Sequence, residues 1–370
     1  MAANNHSAIG LIGSSIASQL ASFSRPTPRP GPGQVLAKTL LVGHTPLSQW
    51  QVDFRLFVGE EDHVLGGNVV GEILEVGAGV REELRVGSII MGFQFALPDE
   101  RPNQELVLVN QHNACLVPGN ISLHEAATVP DNFVTAYHSL ITELGVPLPL
   151  SFPSPAAPPN PGLCILIWGG ASTSGMFAIQ ASPSPFDHGH RCQILRAAGY
   201  TNILSVSSAR HFPLLASFGA SATYDYASPD IARTLSALDI DVALDCVGDE
   251  ATTVRPIAAV VKRGARVGVL LPVRRGGYGS TEGVTMDIDV PFADGVRVAG
   301  IRTHFYQRNE DMKNLLQPKI MNQMVALGLV KPVPFRVMEG GSILERTEKM
   351  LEEYRRGNVR GEKILVDWRA

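Results

Sequence analysis

The chain has 370 residues, of which 45% are hydrophobic and 18% are charged, and its formal net charge is −4. This length predicts about two domains with ample apolar material for a core. The chain has no basic block and no apolar run near the ~20 residues of a membrane span, so neither nucleic acid nor a membrane is an expected partner. The four cysteines lie far apart, which indicates a reducing, cytoplasmic environment without a disulfide framework.

The first 130 residues predict a small, irregular β domain whose short strands are separated by turns rich in glycine and proline, such as RPTPRPGPG at 25–33. The predicted strands are 7–11, 35–42, 69–76, 88–91, 106–109 and 114–117. A capping box at Ser122 and Glu125 then predicts a helix that Pro130 breaks, followed by a second helix from about 132 to 144. Residues 145–162 carry seven prolines, which indicates a surface linker.

Strands and helices alternate from residue 163 onward. The predicted strands are 163–168, 202–206, 222–224, 241–245, 266–270 and 296–300, and the predicted helices are 173–198, 210–218, 229–238, 250–262 and 309–327. Such alternation predicts an α/β fold with a doubly wound parallel sheet. The tail then returns to a strand at 333–337, an amphipathic helix at 343–356 and a final strand at 363–366.

The stretch 163–175, LCILIWGGASTSG, has the pattern of a buried strand, a tight turn and the first turn of a helix. Such a turn presents free backbone N–H groups and the positive end of a helix dipole, both of which suit a phosphate. The candidate cofactor-binding residues here are Gly170, Ala171, Ser172, Thr173, Ser174 and Gly175. The turn departs from the strict G-x-G-x-x-G fingerprint, so an ordinary strand-to-helix turn is the alternative.

The end of the second strand of the wound sheet carries hydroxyls and a guanidinium. An enzyme that prefers NAD normally places a carboxylate there to hold the ribose 2′-hydroxyl. Ser207, Ser208 and Arg210 instead suit a 2′-phosphate, so the sequence favours NADPH over NADH. The alternative is that Ser208 caps the next helix and Arg210 is merely solvated.

No set of residues predicts a metal site or a covalent nucleophile. His44, His63 and Cys115 lack the spacing of metal ligands, and the local cluster at 188–192, HGHRC, is interpreted as a solvated loop. The sequence has no G-x-S-x-G motif and no partnered Cys–His pair. Hydride transfer by a bound cofactor is therefore the favoured chemistry. Thr135 is the favoured polar contact near the nicotinamide, with helix packing or back-bonding as the alternative.

Several segments together resemble the medium-chain dehydrogenase/reductase superfamily: PGPGQVL, LGGNVVGEILEVGAGV, EAATVPDNFVTAYHSL, LIWGGASTSG, SFGASATYDY and LDCVG. Within it, WGGASTSGMFAIQ and SSARHF resemble the zinc-independent fungal branch, which contains trans-acting enoyl reductases of polyketide synthases and quinone oxidoreductase-like relatives. The resemblance covers almost the whole chain. It implies a GroES-like substrate domain at 1–130 and 332–370 and a Rossmann NADP-binding domain at 131–331.

The resemblance also implies roles for individual residues. The 2′-phosphate pocket corresponds to Ser208, Ala209, Arg210 and His211, the adenosine side to Tyr226, the strand end facing the nicotinamide to Val269 and Leu270, and a late cofactor contact to Val359 and Arg360. Gln51 and Asn132 correspond to substrate-pocket positions.

This sequence departs from the family at several of its positions. Gly67 and Asn68 stand where zinc-dependent members carry His-Glu, Asn132 stands where they carry a cysteine, and Gln51 replaces a lysine of the reductases. Residues 181–193 form an insertion within a helix that the family continues without interruption. Because Pro183 and Pro185 prevent a simple extension of the helix, the insertion either loops out at the surface or is the translated remnant of an unspliced gene segment.

Three functions follow from these patterns. The leading one is NADPH-dependent reduction of an α,β-unsaturated, polyketide-type thioester, with a polyketide synthase as a partner. The second is reduction of free quinones or enones. The third is NADP binding without turnover. The insertion and the replacement of a lysine by Gln51 are the reasons to retain it as an alternative.

Overall fold

The computed structural model of the protein describes residues 5–13, 19–59, 62–151, 157–180, 194–276 and 283–369. The chain divides into two compact units. The first comprises Met1–Asp131, Gln307–Asn322 and Pro332–Ala370, and the second comprises Asn132–Tyr306 and Gln323–Lys331. Gln307–Asn322 therefore clusters with the first unit, although it lies inside the range predicted for the cofactor domain.

The strands in chain order are β1 Asn5–Leu11, β2 Leu20–Pro26, β3 Gln34–His44, β4 His63–Val64, β5 Asn68–Val76, β6 Ile89–Phe93, β7 Leu106–Asn110, β8 Ala114–Leu116, β9 Ile165–Trp168, β10 Ile203–Ser207, β11 Ala222–Asp225, β12 Val242–Asp245, β13 Arg266–Leu270, β14 Val273–Arg274, β15 Val284–Thr285, β16 Arg297–Ile301, β17 Phe335–Met338 and β18 Lys363–Asp367.

The α-helices are α1 Pro46–Phe54, α2 Leu123–Ala126, α3 Pro130–His138, α4 Thr173–Ile179, α5 Ile194–Ala197, α6 Phe212–Ser217, α7 Ile231–Ser236, α8 Arg255–Val260, α9 Glu310–Leu315, α10 Asn322–Ala326 and α11 Ile343–Arg355. Wider π-type turns extend three of these helices, at Ser139–Glu143 after α3, Glu250–Val254 before α8 and Leu316–Met321 after α9.

The first unit is built on a sheet in the order β17-β18-β3-β5-β6-β8, with β7 also paired to β3, and on a smaller sheet in the order β2-β1-β4. The long strand β3 pairs with β5 along one edge and with β7 and then β18 along the other. Irregularities at Leu36/Ala37 and Thr39/Leu41 bend β3. Its core contains buried Val35, Ala37, Val69, Ile73, Leu84, Ile90, Val107 and Val109.

The second unit contains a parallel sheet in the order β11-β10-β9-β12-β13-β16, and every pairing along it is parallel. Counting from β9, this is the order 3-2-1-4-5-6 of a doubly wound dinucleotide-binding sheet. The strand order reverses beside β9, and ligands of such sheets bind outside the carboxyl ends of the strands at this point. All four residues of β9 are buried, which explains its unbroken apolar run.

Most of the predicted strands and helices are present within one to three residues, but α4 ends at Ile179, far short of the predicted 198, and β2, β4, β14, β15 and α1 were not predicted. Strand β2 occupies an edge of its sheet and is only partly buried, so it lacks a strong apolar alternation. Helix α1 starts at Pro46, and proline suits the first helical position because no N–H is needed there. Pro130 likewise starts α3, so it begins the second helix and does not merely break the first.

The proline-rich stretch 145–162 is not wholly a surface linker where the structure describes it. Val146 is fully buried and Leu148 nearly so. The Pro147 carbonyl accepts a hydrogen bond of 3.1 Å from the Tyr200 hydroxyl, and the Pro149 carbonyl accepts one from Tyr137. The insertion predicted at 181–193 lies outside the described residues. No helix of the described residues is long and apolar enough to cross a membrane.

A buried charge pair joins the central sheet of the first unit to the start of α3. The Lys363 ammonium contacts the Asp131 carboxylate, and both residues are at least 93% buried. The Asn68 amide donates to the same carboxylate at 2.8 Å and accepts from the Asp131 N–H at 2.8 Å. Burial lowers the pKa of Lys363, while Asp131 opposes that shift. A Cβ on Gly43 would lie 2.3 Å from the Ala127 carbonyl oxygen, so the close packing here requires glycine.

Lys363→Met should lower the free energy of unfolding by about 3–5 kcal/mol, because it leaves a carboxylate buried without its counter-charge. Urea denaturation is the measurement. Arg356→Met, which removes an exposed ion pair with Glu352, is the matched control and should cost about 0–1 kcal/mol. The double variant Lys363→Met/Asp131→Asn should cost less than the sum of the two single variants. Equal, small losses for Lys363→Met and the control would contradict this assignment.

Candidate cofactor and active site

The glycine turn after β9 is held against β10 by backbone contacts. The N–H groups of Gly169 and Gly170 both donate to the Val206 carbonyl at 3.0 Å. A Cβ on Gly170 would lie 1.9 Å from the Ser205 hydroxyl oxygen. A Cβ on Gly175 would lie 2.4 Å from the Gly169 carbonyl oxygen. Glycine at 170 and 175 therefore follows from close packing, and Gly169 also has a positive φ of 76°.

Ser172 caps the helix that follows the turn, because its hydroxyl accepts from the Gly175 N–H at 3.1 Å. Three other N–H groups of this segment, those of Ala171, Thr173 and Ser174, donate to no acceptor among the described residues. Unused N–H groups at a helix start can bind an anion. The chemistry of this donor set fits the pyrophosphate of a dinucleotide.

The segment after β10 combines a buried serine with an exposed cation. Ser207 is 4% exposed, and its hydroxyl donates to the Ser208 carbonyl at 3.2 Å. The Ser208 side chain does not cap the short turn Ala209–His211, so the capping alternative is not what the structure shows. The exposed Arg210 donates from Nε to Nε2 of His211 at 3.0 Å. Partial burial and the Arg210 charge lower the pKa of His211, which keeps the imidazole neutral as the acceptor.

The neighbouring strand β11 brings Tyr226 to the same sheet edge. Ser207 pairs with Asp225 in the parallel register, and the Tyr226 N–H donates to the Ser207 carbonyl at 3.2 Å. The Tyr226 residue is 55% exposed, so its ring is open to a ligand. The sequence argument did not weigh Asp225, whose carboxylate accepts from the Ala227 N–H at 3.0 Å and so stabilises its own turn.

Helix α3 contacts both the glycine turn and the loop after β16. The Asn132 amide donates to the Ser174 hydroxyl at 2.9 Å, which connects a predicted substrate-pocket residue to the predicted phosphate turn. The Thr135 hydroxyl lies 2.8 Å from that of Thr303, and Thr135 is 7% exposed. Thr135 thus uses its hydroxyl across the fold, in addition to any contact within its helix. Thr303 was not predicted from the sequence.

The predicted nicotinamide-facing residues lie at the carboxyl end of β13. Val269 is buried and pairs with Gly300, and the half-buried Leu270 pairs with Ile301. Thr303 follows Ile301 by two residues. The pair Thr135–Thr303 therefore lies at the same end of the sheet as Val269 and Leu270.

The remaining predicted residues belong to the first unit. Gln51 lies in α1 and is 8% exposed. The half-buried Val359 packs against the cluster formed by Met338, Met350 and Leu351. The Arg360 guanidinium donates from Nε to the Gly357 carbonyl at 2.7 Å. Their roles toward cofactor or substrate stay predictions.

Among the described residues, no group of three or more His, Cys, Asp and Glu side chains could hold a metal ion. The cluster at His188, His190 and Cys192 lies outside those residues. Asn68, where zinc-dependent relatives carry the glutamate, is engaged with Asp131.

Comparison with known proteins identifies the relatives of this chain. No family model matches the sequence. The trans-enoyl reductase gkaC of Penicillium citrinum is 27% identical over 93% of each chain. The trans-enoyl reductase phm4 of Pyrenochaetopsis sp is 26% identical over 97% of this chain and 96% of the relative. The trans-enoyl reductase caaB of Aspergillus niger is 30% identical over 67% of this chain and 66% of the relative.

Solved structures share the fold at lower identity. The CurK enoyl reductase superposes with a TM-score of 0.71 at 18% identity, covering 98% of this chain and 99% of that chain. The quinone oxidoreductase of Coxiella burnetii superposes with a TM-score of 0.70 at 20% identity, with the same coverage. The resemblance predicted from the sequence is confirmed: the curated relatives are fungal trans-enoyl reductases, and the structural neighbours include enoyl reductases and quinone oxidoreductases. The predicted GroES-like plus Rossmann fold class is confirmed.

A buried carboxylate organises the loop after β12. The motif LDCVG alone did not predict this structural role. Asp245 is fully buried, and one carboxylate oxygen accepts from the N–H groups of Val247 at 2.9 Å and Gly248 at 3.1 Å. The other oxygen accepts from the Thr253 hydroxyl at 2.5 Å. Burial raises the pKa of Asp245 to about 6, and these hydrogen bonds only partly offset that effect.

Asp245→Asn should make the protein more stable than the parent above about pH 6, by up to about 3 kcal/mol. Because the folded pKa exceeds its ordinary value of 3.8, the native state holds the extra proton between these values. The parent therefore loses stability as pH rises through this window, and the amide variant does not. An amide can keep the three contacts, since Thr253 can turn its proton to the Asp249 carbonyl, 2.9 Å away.

Urea denaturation of both proteins from about pH 4 to about pH 8 measures this difference. Asp294→Asn, at a side chain 96% exposed, is the control and should show no such trend. A stability difference between Asp245→Asn and the parent that stays constant across the window would rule out the assignment.

Proposed function

We propose that the chain is an NADPH-dependent enoyl reductase. The observation that carries this proposal is the similarity to trans-enoyl reductases along more than 90% of both sequences. The second unit supports it with a doubly wound sheet whose switch point carries the glycine turn. The hydride acceptor would be the β-carbon of an α,β-unsaturated thioester, and the α-carbon would gain a proton.

The residues that would hold NADPH lie at the carboxyl edge of the parallel sheet. The free N–H groups of Ala171, Thr173 and Ser174 would bind the pyrophosphate. Ser208 and Arg210 would bind the 2′-phosphate, since a guanidinium forms strong charge-assisted hydrogen bonds with phosphate oxygens. Tyr226 would lie against the adenosine. When bound, the dihydronicotinamide supplies a hydride.

We assign the substrate to the class of polyketide-type enoyl thioesters held on a carrier, with a polyketide synthase as the partner and the cytoplasm as the location. The reductase class follows the trans-enoyl reductase relatives, and the location follows from the widely spaced cysteines of the sequence. Gln51 stays a predicted substrate-pocket residue, and Val359 and Arg360 stay predicted cofactor contacts. Asn132 would act indirectly, since its amide contacts Ser174 of the cofactor turn.

The test compares one purified protein on two substrates. NADPH binding is followed by its fluorescence, and turnover by the loss of NADPH absorbance with a crotonyl-type thioester and with a quinone. Thioester reduction supports the proposal. Quinone reduction alone would favour a quinone oxidoreductase, and binding without either reaction would favour a protein that binds NADP without turnover.

Arg210→Ala should weaken NADPH binding by about tenfold to 100-fold while leaving NADH binding nearly unchanged, because only NADPH carries the 2′-phosphate. Fluorescence titration with each nucleotide measures the two affinities. Arg233→Ala, at an exposed arginine of the same unit, is the matched control and should leave both affinities unchanged. Equal losses for both nucleotides in Arg210→Ala would remove the 2′-phosphate assignment.

A further inference from the structure

The contact between Arg210 and His211 fixes the protonation of the imidazole. The Arg210 Nε–H donates to Nε2 of His211 at 3.0 Å. A guanidinium accepts no hydrogen bond, so Nε2 must be the acceptor and the single proton of the ring lies on Nδ1. A doubly protonated imidazole has no acceptor and would break this hydrogen bond. The contact therefore requires a neutral His211.

The groups around His211 agree with this neutral form. Its turn packs against β11 and α6. Helix α6 carries no titratable side chain, and β11 carries Tyr224 and Asp225. The Asp225 carboxylate accepts from the Ala227 N–H. Partial burial and the positive charge of Arg210 lower the pKa of His211. Without a nucleotide, the imidazole is therefore uncharged at neutral pH.

The position of this pair in the fold indicates which anion it would meet. The turn follows β10, the second strand of the doubly wound sheet, where such folds contact the ribose 2′ position of a dinucleotide. Arg210 is exposed and His211 is half-buried, so both side chains are open to a ligand. A 2′-phosphate carries about −1.5 to −2 charge at pH 7, and its oxygens accept hydrogen bonds. Such an anion beside His211 favours the charged imidazole.

We propose that His211 takes up a proton when NADPH binds and donates it in a hydrogen bond to the 2′-phosphate, beside Arg210. This inference rests on the proposed NADPH-dependent function. In the bound state the Arg210 Nε–H turns from His211 to a phosphate oxygen, which frees Nε2. One new N–H bond forms at Nε2, and its proton comes from the buffer.

Proton uptake by His211 makes the nucleotide preference depend on pH. A bound 2′-phosphate raises the pKa of the imidazole, so the extra affinity is present below the pKa of the complex and is lost as pH rises through it. NADH has no phosphate at this position and gains nothing from a charged ring. The preference for NADPH over NADH should therefore increase as pH falls from about 8.5 to about 7.

Calorimetric titration in two buffers of different ionisation enthalpy counts the protons that are taken up. At about pH 7.5 we expect about 0.2–0.7 more protons per bound NADPH than per bound NADH. The phosphate itself has a pKa of about 6 and releases protons when it binds to cations, so its contribution has the opposite sign. Adenosine 2′,5′-bisphosphate compared with AMP repeats the test on the phosphate pocket without the nicotinamide.

His211→Gln keeps an amide oxygen that can accept from Arg210 but cannot take a positive charge. The excess proton uptake should disappear, and NADPH affinity at about pH 7 should fall by about threefold to 30-fold with little change for NADH. His124→Gln, at a half-buried histidine of the first unit, is the matched control and should retain the uptake of the parent.

Proton NMR separates direct protonation of His211 from an indirect effect of the substitution. The Cε1–H resonance of His211 is identified by its absence in His211→Gln. At about pH 7.5 this resonance in the parent should move toward the imidazolium position on addition of NADPH and stay near the neutral position with NADH.

Equal proton uptake with NADPH and NADH, or an undiminished excess in His211→Gln, would overturn the inference. If NADPH is still preferred in that case, the proposed function stands. A parent that shows the excess uptake but reduces no thioester would contradict the proposed enoyl reduction and leave the inference intact. A protein that binds neither NADPH nor adenosine 2′,5′-bisphosphate would contradict both.

Discussion

The close approach of the glycine turn to strand β10 is the contact on which the candidate cofactor site depends. Val206 accepts two N–H groups of the turn through one carbonyl, and Gly170 packs onto Ser205 at a distance that no side chain permits. The Ser172 N–H also donates to the Gly169 carbonyl, which leaves the N–H groups of Ala171, Thr173 and Ser174 without acceptors among the described residues. Their availability to an anion is thus a consequence of how the preceding two groups are bonded.

The two units use buried carboxylates in different ways. Asp131 in the first unit is paired with a lysine, so its negative charge is compensated where water is excluded. Asp245 in the second unit has three neutral donors and no cation among the described contacts, so burial raises its pKa to about 6. Loss of the lysine partner lowers the stability of the fold around Asp131. Around Asp245, stability falls as pH rises through the pKa of the carboxyl group. Asp245 ends strand β12 and Asp131 lies in the first turn of α3, so both accept hydrogen bonds from backbone N–H or side-chain groups at the ends of elements.

The fold could largely be predicted from the sequence because its strongest signals are local. Strand β9 is buried on both faces and therefore reads as a continuous apolar run, and Ser122 with Glu125 forms the capping box that their spacing predicted. The glycine turn and the segment around Arg210 were likewise predicted from their local patterns, and the resemblance to a known superfamily agreed with both predictions. In contrast, β2 is half-buried, and Thr303 acquires its partner only through tertiary structure across 168 residues. No local sequence pattern predicts the burial of Asp245 or the packing of Val146.

The site divides affinity and specificity between different kinds of group. The pyrophosphate donors are backbone N–H groups, which tolerate any side chain that preserves the turn, so a segment such as GGASTSG can replace the stricter glycine fingerprint. The groups that would distinguish NADPH from NADH are side chains, of which Arg210 is exposed and donates a hydrogen bond to His211. Since Arg210 contributes little packing, selection could alter the nucleotide preference at this position without disturbing the turn. The Thr135 and Thr303 hydroxyls differ again, because their contact joins α3 to the turn after β16 and depends on the placement of both elements.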